Sequence, residues 1–171
     1  MTTYDGTVAG PAAGAVPLAG GVGVTGIDHV GIAVRDLGAA ADLLGSLLDL
    51  RCGLVEHSER EEVGELMLAA GGDEAGARVQ LLTSQAPLST IGRFLATSGP
   101  GLHHLALRVE DIDRATRVLR DGGTRLLYQD AQVGTAGSRV NFLHPGDTAD
   151  LLVELVEPAR AAGPTGTEAG R

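Results

Sequence analysis

Two histidines, a glutamine and a glutamate recur at matched places in this chain. The stretch "IDHVGIAVRDLGAAADLL" (27–44) lies over "LHHLALRVEDIDRATRVL" (102–119), with Ile27 on Leu102, His29 on His104, Gly31 on Ala106 and Asp36 on Asp111. His29 and His104 are 75 residues apart; Gln80 in "RVQLLTS" and Glu154 in "LLVELVEP" are 74 apart. Two imidazoles, an amide and a carboxylate make an N/O donor set for a divalent metal, and an octahedral ion would keep two further positions for other ligands. A single polar residue in a strand usually needs only a hydrogen-bond partner. Four of them, at two equivalent pairs of positions in a duplicated unit, are not explained by core filling alone.

The elements that must position these residues follow the same repeat. Each copy reads as a short apolar strand and then a helix, with Asp36 and Asp111 placed to cap the helix N-termini. The second helix carries apolar Ile112, Ala115, Val118 and Leu119 and stops at Gly122 and Gly123. Three strands are expected after each helix: "CGLVEHSE" (52–59), "ELMLAAGG" (65–72) and "RVQLLTS" (78–84) in the first copy, and "TRLLYQD" (124–130), "RVNFLHPGD" (139–147) and "LLVELVEP" (151–158) in the second. The fold class is therefore α+β: two tandem βαβββ modules pairing into an open, cup-shaped mixed sheet with helices outside. The modules span 25–86 and 101–158, with a linking helix at 87–100 and Gly/Ala-rich flexible tails at 1–24 and 159–171. Side chains two apart share a strand face, so His29, Gly31 and Ala33 lie together, as do His104, Ala106 and Arg108. The small residue beside each histidine leaves room for a ligand. By the same alternation His103 points to the other face, as a structural residue or a neighbour of the substrate. An approximate two-fold between modules brings His29, Gln80, His104 and Glu154 toward one axis.

Composition narrows the function classes. The chain has 171 residues, 43% hydrophobic and 20% charged, as expected of a globular protein with a substantial core. A net charge of −9 and an aromatic content of 2% argue against nucleic acid as a partner. No apolar run reaches the roughly 18 residues of a membrane span, and the N-terminal stretch lacks the basic region of a signal peptide. The expected location is the cytoplasm. All thirteen basic residues are Arg, which removes Schiff-base lysine chemistry and a Walker-type phosphate lysine. Cys52 stands alone, so it makes no internal disulfide, and it reads as an inert core thiol.

From "IDHVGIAVRDL" through "APLSTIGRFLATSGPGLHHLALRVEDID", "GTAGSRVNFLHP" and "LLVEL", the chain resembles the vicinal oxygen chelate superfamily of glyoxalases, bleomycin-resistance proteins and dioxygenases. Within it the chain is most similar to the methylmalonyl-CoA epimerases. The resemblance implies a metal-dependent racemase acting on methylmalonyl-CoA or a similar 2-substituted malonyl thioester, through a metal-stabilised enolate. It implies metal ligands at His29, Gln80, His104 and Glu154, the set already reached from the repeat, and a catalytic acid/base carboxylate at Glu65 in "GELMLA". The second base is implied at Glu154 and the cofactor is a divalent ion, with Co, Mn, Ni, Fe and Zn all suited to such donors. The partners expected are a small acyl thioester and a second copy of the chain in a homodimer. Glu65 sits in an apolar strand, which tends to raise a carboxylate pKa; on the residues alone it reads equally as a strand-edge carboxylate. "GTAGSR" (134–139) offers backbone N–H groups to a carboxylate or phosphate. The family commonly has a Lys where Gly146 stands and a Gly-Gly pair before the last strand, where "TADLL" (148–152), with Asp150, stands here. These departures leave open a paralogue serving specialised, polyketide-type metabolism. A glyoxalase-like lyase usually carries a glutamate at the place of Gln80, a ring-cleaving dioxygenase a second histidine there, and a non-enzymatic drug-binding member lacks the metal set.

Overall fold

The computed structural model describes residues 21–58, 62–71 and 76–159. Most of both expected tails lies outside the described residues, as does part of the acidic loop after position 58. Eight strands and three helices follow in the order β1 (Val24–Ala33), α1 (Leu37–Leu48), β2 (Leu50–Ser58), β3 (Val63–Ala70), β4 (Arg78–Ser84), α2 (Thr90–Thr97), β5 (Gly101–Val109), α3 (Ile112–Asp121), β6 (Gln132–Val133), β7 (Arg139–Leu143) and β8 (Val153–Glu157). They build one curled sheet in the order β2-β3-β4-β1-β5-β8-β7-β6. β1 runs parallel to β4 and β5 runs parallel to β8, while β1 and β5 meet antiparallel at the centre. The two halves thus meet across an approximate two-fold between β1 and β5.

Local chemistry sets the helix boundaries. The Asp36 carboxylate accepts from Ala39 N at 2.9 Å, and the Asp111 carboxylate accepts from Arg114 N at 2.9 Å. The Ser89 hydroxyl accepts from Gly92 N at 3.0 Å and starts α2. Each satisfies a backbone donor that the first helical turn leaves without a partner. Alternation in the strands then divides apolar residues between two faces. On the outer face Leu66, Leu68 and Leu81 pack with Ala41 of α1, and Val109, Leu143 and Leu155 pack with Ile112, Ala115 and Leu119 of α3. The inner face carries Ala106, Val140 and Val156 in one half. In the other half, Ala33, Val63 and Leu82 are covered by Ile91 and Leu95 of α2. So α1 and α3 lie outside the cup, and α2 closes one end of it.

Two expectations are corrected here. Residues 124–130 make no strand; they touch the sheet through a single bridge, Leu126 to Leu143, and the edge strand is the two-residue β6. The reason is a side chain. Asn141, fully buried in β7, accepts from Tyr128 N through Oδ1 and donates to Tyr128 O through Nδ2. A side chain thereby takes the place of a ladder. Cys52 is exposed, because β2 is an edge strand and not part of the core.

Candidate active site

The four residues picked out by the repeat lie around the β1–β5 seam. In register, Gly31 is flanked by Gln80 on β4 and by His104 on β5, while Ala106 is flanked by His29 on β1 and by Glu154 on β8. His29, Gln80, His104 and Glu154 are all buried. The two imidazoles face each other through Nε2 at 3.1 Å. Glu154 Oε2 lies 3.1 Å from His104 Nε2 and 3.4 Å from His29 Nε2. Three donor atoms, one from each of His29, His104 and Glu154, fall within 4.8 Å of one another, an arrangement that fits a divalent metal site. Gln80 adds a fourth candidate: Nε2 donates to Glu65 Oε2 at 2.8 Å, while its buried Oε1 has no partner among the described residues. An orphaned carbonyl oxygen beside two imidazoles and a carboxylate is the donor a hard or borderline cation takes.

The space over Gly31 has a different use from the one expected. A Cβ there would meet Cε1 of the His104 ring at 2.2 Å. The missing side chain makes room for a neighbouring imidazole and not for a substrate.

Electrostatics at the seam favour a positive charge. Burial pulls the His29 pKa down, but hydrogen bonds to Asp28 and Glu154 outweigh it and hold the group up at about 9. Burial pushes Glu154 up, and the imidazoles of His104 and His29 more than reverse this, leaving it below the usual carboxylate range. Asp28, 1% exposed, meets opposition from burial as well, but hydrogen bonds from His29, Arg108 and Arg78 and the Arg78 charge hold it far below that range.

Glu65 faces a cavity of about 720 Å³ that Gln80, His103, His104, Tyr128, Phe142 and Glu154 also line. Besides Gln80, it accepts from the Thr135 hydroxyl. Glu154 also borders a smaller cavity of about 210 Å³ beside Asp28, His29, Arg78 and Ser138. Sequence reasoning did not single out Asp28, Arg78 or Thr135. Thr135 lies in "GTAGSR", read there only for its backbone; Ala136 and Gly137 do turn through positive φ, 53° and 73°. Nor does His103 point away as expected: its Nδ1 lies 3.0 Å from His104 Nδ1, because the strand is bulged at that point.

Comparison with known proteins fits this arrangement. The profile of the glyoxalase/bleomycin resistance protein/dioxygenase superfamily matches residues 28–142. The ethylmalonyl-CoA/methylmalonyl-CoA epimerase of Cereibacter sphaeroides is 33% identical over 131 residues, covering 75% of this chain and 95% of its own. The crystal structure of methylmalonyl-CoA epimerase from Mycobacterium tuberculosis is similar with a TM-score of 0.76 and 44% identity, covering 80% of this chain and 89% of its own. A methylmalonyl-CoA epimerase in complex with methylmalonyl-CoA and NH4+ has a TM-score of 0.76 and 37% identity, over 80% of this chain and 96% of its own. The chain belongs to the glyoxalase/bleomycin resistance protein/dioxygenase superfamily. Its relatives place it among the enzymes of that superfamily, as an epimerase.

Proposed function

We propose that the protein epimerises methylmalonyl-CoA or a similar 2-substituted malonyl thioester, with His29, Gln80, His104 and Glu154 holding a divalent metal ion. The observation that carries this reading is the pairing of two carboxylates on one cleft. Glu65 comes from the first half of the sheet and Glu154 from the second, and both line the same cavity. The substrate class comes from the names of the relatives given above and from the methylmalonyl-CoA bound in one of them.

Epimerisation at C2 needs one C–H proton removed and a proton returned on the opposite face. Glu65 is oriented to remove the first proton, since Gln80 Nε2 holds Oε2 and the Thr135 hydroxyl holds Oε1. Its carboxylate takes the C2 proton, and the electron pair of the broken C–H bond moves into an enolate. Glu154 turns Oε2 to the two imidazoles. The imidazoles favour Glu154 as the carboxylate, so in this direction it must first take up a proton, which its other oxygen delivers to the far face. In the reverse direction the roles exchange, as reversible acid/base catalysis requires. A divalent ion, when bound, supplies Lewis-acid stabilisation of the charge that develops on the thioester oxygen. Its identity among Co, Mn, Ni, Fe and Zn is not fixed by these donors.

No helix of the described residues is long and apolar enough to cross a membrane, and the bacterial relatives support a cytoplasmic setting. A homodimer is the assembly we infer. The edge strand β2 is exposed almost throughout, and Leu54 on it and Leu43, Leu47 and Leu48 of α1 face solvent. A second copy would cover these apolar groups through the same surface.

The test is exchange of the C2 proton of methylmalonyl-CoA in heavy water, with ethylmalonyl-CoA and other acyl thioesters in parallel and the metal content of the purified protein measured. Exchange with methylmalonyl-CoA that disappears with a chelator and returns with added metal is expected. Exchange with none of these thioesters by metal-loaded protein would overturn the reading. Exchange confined to another malonyl thioester would assign the chain to specialised metabolism.

A further inference from the structure

One residue precedes each seam histidine: Asp28 before His29 and His103 before His104. A regular strand would send both side chains to the outer face. The ladder between β1 and β5 is not regular at these two points. Ile27 pairs with Leu107 and His29 with Ala106, so Asp28 is an extra residue on β1. Gly31 pairs with His104 and Ile32 with Leu102, so His103 is an extra residue on β5. The two bulges are equivalent under the approximate two-fold. A bulge re-aims its side chain, and here both are turned onto Nδ1 of the next imidazole. Asp28 Oδ1 lies 2.9 Å from His29 Nδ1, and His103 Nδ1 lies 3.0 Å from His104 Nδ1.

We propose that Asp28 and His103 are a matched pair of positioning residues, each fixing the tautomer and ring plane of the ligand that follows it. This rests on the reading of His29 and His104 as metal ligands. An imidazole that ligates through Nε2 carries its proton on Nδ1 and needs an acceptor there. Asp28 can only accept. His103 must therefore present an unprotonated Nδ1 to His104 and keep its own proton on Nε2.

Each positioning residue is itself held. Asp28 accepts from Arg108 Nε at 3.0 Å and from Arg78 Nη2, so β4 and β5 both contribute to its support. The His103 ring meets Phe94 of α2 edge-on, with centroids 5.0 Å apart and planes at 84°. The two supports differ in charge. A carboxylate stands behind His29 and an imidazole behind His104. The duplicated site is symmetric in its donors and asymmetric in what stands behind them.

The test is Co²⁺ affinity of the full chain, measured by chelator competition for wild type, His104→Ala, His103→Leu, His103→Asn and Asp28→Leu. Asn at 103 keeps an acceptor where Nδ1 stands; Leu removes it. His103→Leu is expected to weaken binding about 10–100-fold and His103→Asn to stay near wild type. Asp28→Leu, which removes the acceptor on Nδ1 of His29, is expected to weaken binding as well, with thermal melts checking its fold because two arginines lose their charge partner. In the zinc-loaded wild type, ¹⁵N shifts are expected to show the proton of His104 on Nδ1 and that of His103 on Nε2. Should wild type bind no Co²⁺, or His104→Ala bind as tightly as wild type, the ligand reading and this inference fall together. Should wild type bind and His104→Ala not, while His103→Leu matches His103→Asn, the ligands stand and the positioning role alone is overturned. A proton on Nδ1 of His103 would overturn it equally.

Discussion

At the residue scale the proposed metal site sets a proton and a metal ion in competition for His29. Without the ion, His29 lies between Asp28 and Glu154 and its pKa stands at about 9, above the ordinary 6.5. A raised folded-state pKa means that the proton stabilises the metal-free fold fully below about pH 6.5, and that this contribution is lost as pH rises through about 9. Ligation needs the neutral ring, so binding at pH 7 must expel that proton. The apparent metal affinity is therefore expected to rise between pH 7 and 9, with proton release on binding. Calorimetry in buffers of different ionisation heat checks this; a binding heat independent of buffer would contradict it.

At the element scale, β1 and β5 carry the two histidines of the site, and they mark where sequence reading succeeds and where it stops. The positions of His29, His104, Gln80 and Glu154 were legible because the chain states them twice, at two nearly equal separations. The helix caps at Asp36 and Asp111 were legible because capping is local chemistry. The bulges at Asp28 and His103 were not, since a period of two assumes that no residue is extra. The same holds for residues 124–130, whose apolar run looks like a strand until the buried Asn141 occupies the Tyr128 backbone. Cys52 reads as a core thiol because composition cannot tell an edge strand from a central one. Gly31 shows what one position in such an element carries. Gly31→Ala places a methyl where the His104 ring lies, so the ring must move off its place beside Glu154. Metal affinity and turnover are both expected to fall by at least about tenfold, the scale of disturbing a ligand's support, while far-ultraviolet circular dichroism stays as in wild type. Metal binding unchanged by Gly31→Ala would show that the ring has room elsewhere.

At the scale of the whole molecule, the two halves of the sheet are joined where the chemistry lies, so stability and activity draw on the same architecture. The turn that leads into β8, and so to Glu154, is strained: Ala149 and Asp150 both have positive φ, 53° and 63°. Only glycine adopts that region freely. Ala149→Gly is expected to stabilise the fold by about 1 kcal/mol, a rise in Tm of about 2–4 °C for a chain of this size, and a scanning melt that shows no rise would argue against the strain. The proposed mechanism needs both halves more directly, because Glu65 comes from β3 and Glu154 from β8. The most direct measurement of that need is proton NMR of Glu65→Gln in heavy water, with each stereoisomer of methylmalonyl-CoA supplied separately. The variant keeps its metal, since Glu65 is not among the proposed ligands, and loses about 10²–10⁴-fold in epimerisation, the usual cost of a positioned general base. Glu154 still removes and returns a proton on its own face, so one stereoisomer takes up deuterium at C2 without becoming the other. Interconversion of the two stereoisomers at close to the wild-type rate would contradict the assignment of the two carboxylates.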